Sequence, residues 1–216
     1  MPKVKNTKHP YAHAAGLPGE DGPVTFAEIF PGHEGPIEIE IGPGRGGFMF
    51  ERTAAAPEVV LLGLEIRLKW AHLVDERLRK AGLHPRARVL GEDAKDALAR
   101  LRPDASVRTV FLHFPDPWWK KRHEKRLVMG DVLLGQIERL LTADGHLFVQ
   151  TDVEERAEQY EAFIGAHAAF EPAGREPGSA RLDENPYGAR SPREHRAIAD
   201  GLPIHRLRYR KRTAGP

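Results

Sequence analysis

Ile37-Glu-Ile-Glu-Ile41-Gly42-Pro-Gly44-Arg-Gly46-Gly47, followed by a helical run from Phe48, is the stretch from which the fold can be read. Isoleucine alternating with glutamate predicts a strand, and the glycines after it predict a tight turn. Lacking Cβ atoms, such a turn can approach a bound cofactor closely, while the next helix aims its N-terminus at the same place. Outward from this unit the pattern repeats. Val59-Val-Leu-Leu-Gly-Leu-Glu65 reads as an apolar strand. The helix after it puts Ile66, Trp70, Leu73 or Val74, Arg77 or Leu78, and Ala81 on one face, and Gly82 ends it. Ala87-Arg-Val-Leu90 is a third strand, 107–114 a fourth and 146–151 a fifth. Amphipathic helices are expected over 127–141 and after Asp152. A last strand alternates Arg206, Arg208 and Arg210 on one face with Leu207 and Tyr209 on the other, predicting a basic outer face. Strand and helix repeated about five times before a late strand pair predict a doubly wound α/β sheet.

A length of 216 residues suits one such domain with short additions. The expected division is a flexible basic arm over 1–35 with a short helix near 26–30, the catalytic-type domain over 36–212, and a tail over 213–216. Net charge is only +2, yet Lys3, Lys5 and Lys8 stand in an acid-free N-terminus, and Arg206, Arg208, Arg210, Lys211 and Arg212 in an acid-free C-terminus. Local basic regions on a nearly neutral chain suit a polyanionic partner better than a membrane surface. The absence of cysteine excludes disulfides and thiolate metal sites. The eleven histidines lack paired ligand spacing, so no metal is assigned. Neither a membrane span nor a signal peptide is visible, and a cytoplasmic protein is the default. Nothing in the sequence sets the oligomeric state, and a monomer is the default there too.

Candidate site residues cluster at the strand ends. Gly42, Gly44 and Gly47 satisfy the dinucleotide pattern G-x-G-x-x-G, whereas Gly42, Gly44 and Gly46 satisfy the shorter G-x-G-x-G of methyltransferases. On glycines alone, a nicotinamide-dependent oxidoreductase is as good a reading as an S-adenosylmethionine enzyme. Glu65 ends its strand where a carboxylate can accept from both ribose hydroxyls, a job common to both cofactors. Asp93 is placed either to accept from an adenine amino group or simply to cap the next helix. Asp152 poses the same choice between capping and substrate contact.

The most distinctive loop is Phe114-Pro-Asp-Pro-Trp-Trp-Lys-Lys-Arg-His-Glu-Lys-Arg126. Pro115 and Pro117 hold Asp116 stiffly at the end of the fourth strand, where open α/β sheets bind ligands. Two tryptophans and the cations Lys120, Lys121, Arg122, Lys125 and Arg126 follow, joining stacking faces to a phosphate-binding surface. A charged helix start after a proline turn is the plainer alternative. A non-catalytic RNA-binding protein on the same fold would also explain the basic loop.

This loop resembles the central motif of the bacterial tRNA (guanine-N7-)-methyltransferases, departing from it at Trp119, where proline or histidine is expected. The resemblance covers nearly all of 37–212 and implies a class I methyltransferase sheet of roughly seven strands with the last one antiparallel. It implies S-adenosylmethionine as cofactor and the variable-loop guanosine of tRNA, position 46, as substrate. Carried onto this chain, it puts Glu40, Gly42, Gly44, Gly46, Glu65, Asp93 and Asp116 at the cofactor, with Asp116 catalytic. It puts Lys120, Asp152, Ser191 and Glu194 at the substrate, and Arg122, Lys125, Arg126 and Arg196 against the RNA. Ser191 replaces the threonine expected there; by itself, Ser191-Pro-Arg-Glu194 is also a helix capping box.

Overall fold

The computed structural model describes residues 9–115 and 129–213. In chain order the elements are β1 (Val24–Thr25), α1 (Phe26–Ile29), β2 (Ile37–Ile41), α2 (Gly47–Ala55), β3 (Val60–Leu64), α3 (Leu68–Lys80), β4 (Ala87–Leu90), α4 (Ala94–Arg100) and β5 (Leu101–Arg102). These are followed by β6 (Val107–His113), α5 (Asp131–Leu140), β7 (Leu141–Thr151), α6 (Glu154–Gly165), β8 (Phe170–Pro172), β9 (Arg181–Leu182), α7 (Pro192–Ala199) and β10 (His205–Lys211). The main sheet runs β4-β3-β2-β6-β7-β10-β8, with β9 paired to β10 off that path. From β4 to β7 every pairing is parallel, and β10 enters antiparallel to β7. The expected doubly wound sheet with a late antiparallel strand is therefore present.

Both faces of this sheet are covered, so β3 is buried at all of its positions, as parallel strands generally are. One face packs Ile39, Leu62, Val110 and Val149 against α4, α5 and α6. The other packs Leu61, Val89, Phe111 and Phe148 against Phe48 and Met49 of α2 and Val74 and Leu78 of α3. The glutamates of β2 fall on this second face and are buried too. Glu38, fully enclosed, accepts from Arg52 at 2.8 Å and from Arg108 at 2.7 Å, which satisfies the charge that burial would otherwise make costly. Burial works against the Arg52 cation, but its bonds and proximity to Glu38 prevail and raise its pKa.

Four expectations need correction. Part of the expected arm is not loose: Leu17, Val24, Phe26, Ile29 and Phe30 are core residues, because their apolar side chains fill the edge beside α4 and β5. In α3 the inward stripe is Ala71, Val74, Asp75 and Leu78; Ile66 lies before the helix, 66% exposed, and Trp70 is only half-buried beneath the Arg45 guanidinium. The helix expected over 127–141 occupies Asp131–Leu140, and Leu141 already begins β7; residues 127 and 128 lie outside the described part. The β10 arginines are not a free basic face. Arg206 is bonded to Glu194, Arg208 to the Ala173 carbonyl and Arg210 to Glu171.

Candidate functional site

Successive strands leave β2 toward β3 and β4 on one side and resume with β6 on the other. Open α/β sheets bind ligands at the carboxyl ends of the strands where this reversal falls. A cavity of about 380 Å³ opens there. Its walls are Glu40 of β2, the Gly42–Arg45 turn, Arg67, then His113, Phe114 and Pro115 at the end of β6. Thr151, Asp152 and Val153 close it at the end of β7, together with Arg156 of α6 and Ser191, Pro192 and Arg193 at the start of α7.

The glycines divide their work. Gly42, Gly44 and Gly46 all have positive φ, at 72°, 55° and 75°, where residues with a Cβ are strained. A Cβ on Gly42 would meet nothing within 4 Å, so its side toward the cavity is open. A Cβ on Gly46 would lie 2.3 Å from Val74, and one on Gly47 2.5 Å from Pro192. Gly47 thus serves the seating of α7 over the end of α2. That contact brings Ser191 and Arg193 to the cavity, helped by Glu51, which binds His195 and the Arg190 amide. Three of the loop's amides are committed: Gly42 N–H to the Leu64 carbonyl, Gly44 N–H to Glu65, and Gly46 N–H to the Pro43 carbonyl.

Glu40 is 2% exposed and its Oε1 is 2.9 Å from His113 Nδ1, while Oε2 has no partner among the described residues. Glu65, equally buried and just outside the cavity wall behind Gly44 and Arg67, accepts from the Gly44 amide and the Arg67 amide, each at 2.9 Å. It ties the end of β3 to the glycine turn and keeps lone pairs for hydroxyl donors. Asp93 caps α4 by accepting from the Lys95 amide at 3.0 Å and sits outside the cavity wall. Close by, the N-terminal segment folds over the end of β4, with Leu17 N–H on Glu92 and Gly91 N–H on the Ala15 carbonyl. Asp152 lines the cavity and pairs with Arg193; it does not cap α6, whose first cap is Val153.

Ser191 caps α7 by accepting from the Glu194 amide at 3.1 Å. Glu194 itself is fully buried, bonded to Arg206 at 2.9 Å and to Asn185 at 2.9 Å, and is not part of the cavity wall. The expected substrate contact by Glu194 therefore has no support in this geometry, where the carboxylate joins α7 to β10. Arg196 is exposed on α7. Asp116, Lys120, Arg122, Lys125 and Arg126 lie outside the described residues; the last described residue before them is Pro115, on the cavity rim. Phe114, at φ 44°, has the left-handed backbone that turns the chain into this loop.

Sequence reasoning missed Arg45, Arg67, His113 and Arg193 on the cavity wall. His113 had a signal: it is the polar end of an apolar strand, immediately before the Pro-Asp-Pro turn. Under the cavity floor, Tyr187 packs edge-on against Phe111 and Phe148, and burial pushes its phenol pKa up to about 12. Among the described residues no cluster of histidines and acids could hold a metal ion, and no helix is long and apolar enough to cross a membrane.

A sheet of this order, with a glycine turn and two strand-end acids at its reversal, defines the class I S-adenosylmethionine-dependent methyltransferases. Solved structures agree on the fold: the 16S rRNA methyltransferase KamB matches with a TM-score of 0.59 at 14% identity, over 87% of this chain and 93% of its own. The family model described as "Putative methyltransferase" matches residues 34–207. A tRNA (guanine-N(7)-)-methyltransferase of Myxococcus xanthus is 34% identical over 180 residues, which cover 83% of this chain and 85% of that protein. One from Thermosynechococcus vestitus is 32% identical over 193 residues, 89% and 88% of the two chains. The chain belongs to the tRNA (guanine-N7-)-methyltransferase family.

The residues present fit S-adenosylmethionine. Glu40 offers a buried, unused acceptor toward a cationic ligand, Glu65 retains acceptor capacity for a ribose, and Gly42 leaves open space for close approach.

Proposed function

We propose that this chain transfers the methyl group of S-adenosylmethionine to N7 of the variable-loop guanine, position 46, of tRNA. The observation that carries the reading is the cavity at the β2–β6 reversal, which gathers Glu40, the glycine turn, Asp152 and Ser191 in a chain of this family. The same observation favours this cofactor over a nicotinamide dinucleotide. The buried, partnerless Oε2 of Glu40 on the cavity wall suits a ligand with a cationic N–H donor, which S-adenosylmethionine has in its ammonium and the pyrophosphate of a nicotinamide dinucleotide lacks.

Glu40, Gly42, Gly44, Gly46 and Glu65 hold the cofactor in this reading, with Asp93 at its adenine end. S-adenosylmethionine supplies an electrophilic methyl group on a sulfonium. Guanine N7 is a lone-pair acceptor on the Hoogsteen edge and needs no deprotonation before it attacks. The chain therefore has no proton to remove from the attacking atom, and its contribution is alignment and electrostatics. Asp116, next in sequence after Pro115 of the cavity rim, is the residue assigned to the guanine, acting through the guanine's N–H groups or on the positive charge that the ring acquires. Asp152 and Ser191 contact the substrate across the cavity, while Lys120, Arg122, Lys125, Arg126 and Arg196 meet phosphates. Residues 36–212 form the methyltransferase domain, onto which the 17–30 segment is packed. A cytoplasmic location follows from a tRNA substrate.

Calorimetric titration with S-adenosylmethionine and with NAD tests the cofactor. Binding of the first alone is expected. Binding of NAD alone would return the glycine turn to the oxidoreductase reading.

A further inference from the structure

We propose that His113 is a positioning residue that holds Glu40 for the ammonium group of the cofactor. This inference rests on the reading of Glu40 as a cofactor contact. As a carboxylate Glu40 only accepts hydrogen bonds, so the 2.9 Å contact makes His113 Nδ1 the donor and Glu40 Oε1 the acceptor. Both side chains are almost wholly buried, at 3% and 2% exposure, and both line the cavity. The bond occupies one carboxylate oxygen and leaves Oε2 buried without a partner among the described residues. A buried acceptor of this kind calls for a donor. S-adenosylmethionine has neutral donors in its ribose hydroxyls and adenine amine. Of its two cationic centres only the ammonium has N–H groups, and a charged donor makes the stronger bond to a buried carboxylate oxygen.

The His113 ring is itself held. It lies edge-on to Phe48 at 4.4 Å and to Phe148 at 6.0 Å, and stacks with Phe111 at 5.5 Å between centroids. The aromatic floor fixes the ring, the ring fixes one oxygen of Glu40, and the other oxygen is set for the ligand. A leucine or phenylalanine in place of His113 would leave Glu40 with two unused acceptors and a free rotamer.

The test compares two ligands by calorimetry: S-adenosylmethionine, and 5′-methylthioadenosine, which lacks the amino-acid portion and hence the ammonium. His113→Phe keeps the aromatic packing and removes the donor. Its S-adenosylmethionine affinity should fall by about tenfold or more, with methylthioadenosine affinity unchanged. His113→Asn, which restores an N–H near the position of Nδ1, should recover most of the loss. In a Glu40→Gln background the Phe substitution should add little. If the Phe variant does not fold, His113→Leu replaces it, read by the same ratio of the two affinities. Equal weakening of both ligands, or an S-adenosylmethionine affinity equal to wild type, overturns the positioning role. A Glu40→Gln variant that binds S-adenosylmethionine normally overturns the reading of Glu40 itself, which separates the two failures.

Discussion

Replacing Gly46 by alanine should destabilise the protein through two separable effects. The backbone there has φ 75°, and a Cβ in the left-handed region costs about 1–2 kcal/mol. The new methyl would also lie 2.3 Å from Val74 Cγ1 and 3.1 Å from Cγ2. Val74 is 1% exposed, on the face of α3 packed in the core with Phe48 and Met49 of α2, so it has no free direction in which to retreat. Overpacking of this kind adds about 1–3 kcal/mol. Together the two effects should lower stability by about 2–5 kcal/mol, or roughly 4–20 °C in melting temperature for a chain of this size. Urea unfolding of four proteins measures them: wild type, Gly46→Ala, Val74→Ala and the double variant. In the Val74→Ala background both methyls that meet the new Cβ are gone, and Gly46→Ala should then cost only about 1–2 kcal/mol. Gly42→Ala, with φ 72° and open space around its Cβ, should show the same backbone cost alone. If Gly46→Ala costs equally in both backgrounds, or no more than Gly42→Ala, the steric half of this reasoning is wrong.

Glu65→Ala should weaken S-adenosylmethionine binding by about tenfold or more and leave tRNA affinity nearly intact; equal loss of both in a folded variant would remove Glu65 from the cofactor site. Glu194→Ala removes the charge partner of the partly buried Arg206, which keeps only the Asp183 carbonyl, and should cost about 1–3 kcal/mol, seen as a lower melting temperature; an unchanged melting temperature with lost methyl transfer would restore Glu194 to the substrate. Burial raises the Tyr187 phenol from its ordinary value of 10.0 to about 12. Between those values the unfolded chain has released the proton that the folded chain retains, so the stability from this group is complete below pH 10 and is lost as pH rises toward 12. Tyr187→Phe should therefore show a shallower loss of unfolding free energy across that alkaline window, and an unaltered slope would contradict the burial argument.

The fold was legible because its units are local. The isoleucines of β2, the apolar run of β3 and the turn at Gly42–Gly46 each carry their own signal, and alternation with helices forces the parallel arrangement. Helix registers were less legible. Trp70 looks like core by hydrophobicity, yet an arginine above it and a lysine beside it make a half-exposed position favourable. The packed part of the N-terminal arm was hidden because Leu17 and Val24 are single apolar residues among glycines and prolines, without periodicity to mark them. At the site, Glu40 and Glu65 stood out in the sequence as acids near strand ends, and the structure buries both there. Two things were not legible. The burial of Glu194 depends on Arg206 of β10, a partner brought near only by the folded sheet. The pairing of His113 with Glu40 exists only once β6 lies beside β2 and sets the ring against the carboxylate.

Methyl transfer from labelled S-adenosylmethionine to unmodified tRNA, followed by mapping of the modified base, tests the central claim most directly. Label should appear at N7 of the variable-loop guanine, and Asp116→Ala should lower the single-turnover rate by roughly a hundredfold or more with the melting temperature unchanged. Label on another atom or in another loop, or no transfer from a chain that binds both S-adenosylmethionine and tRNA, would contradict the account.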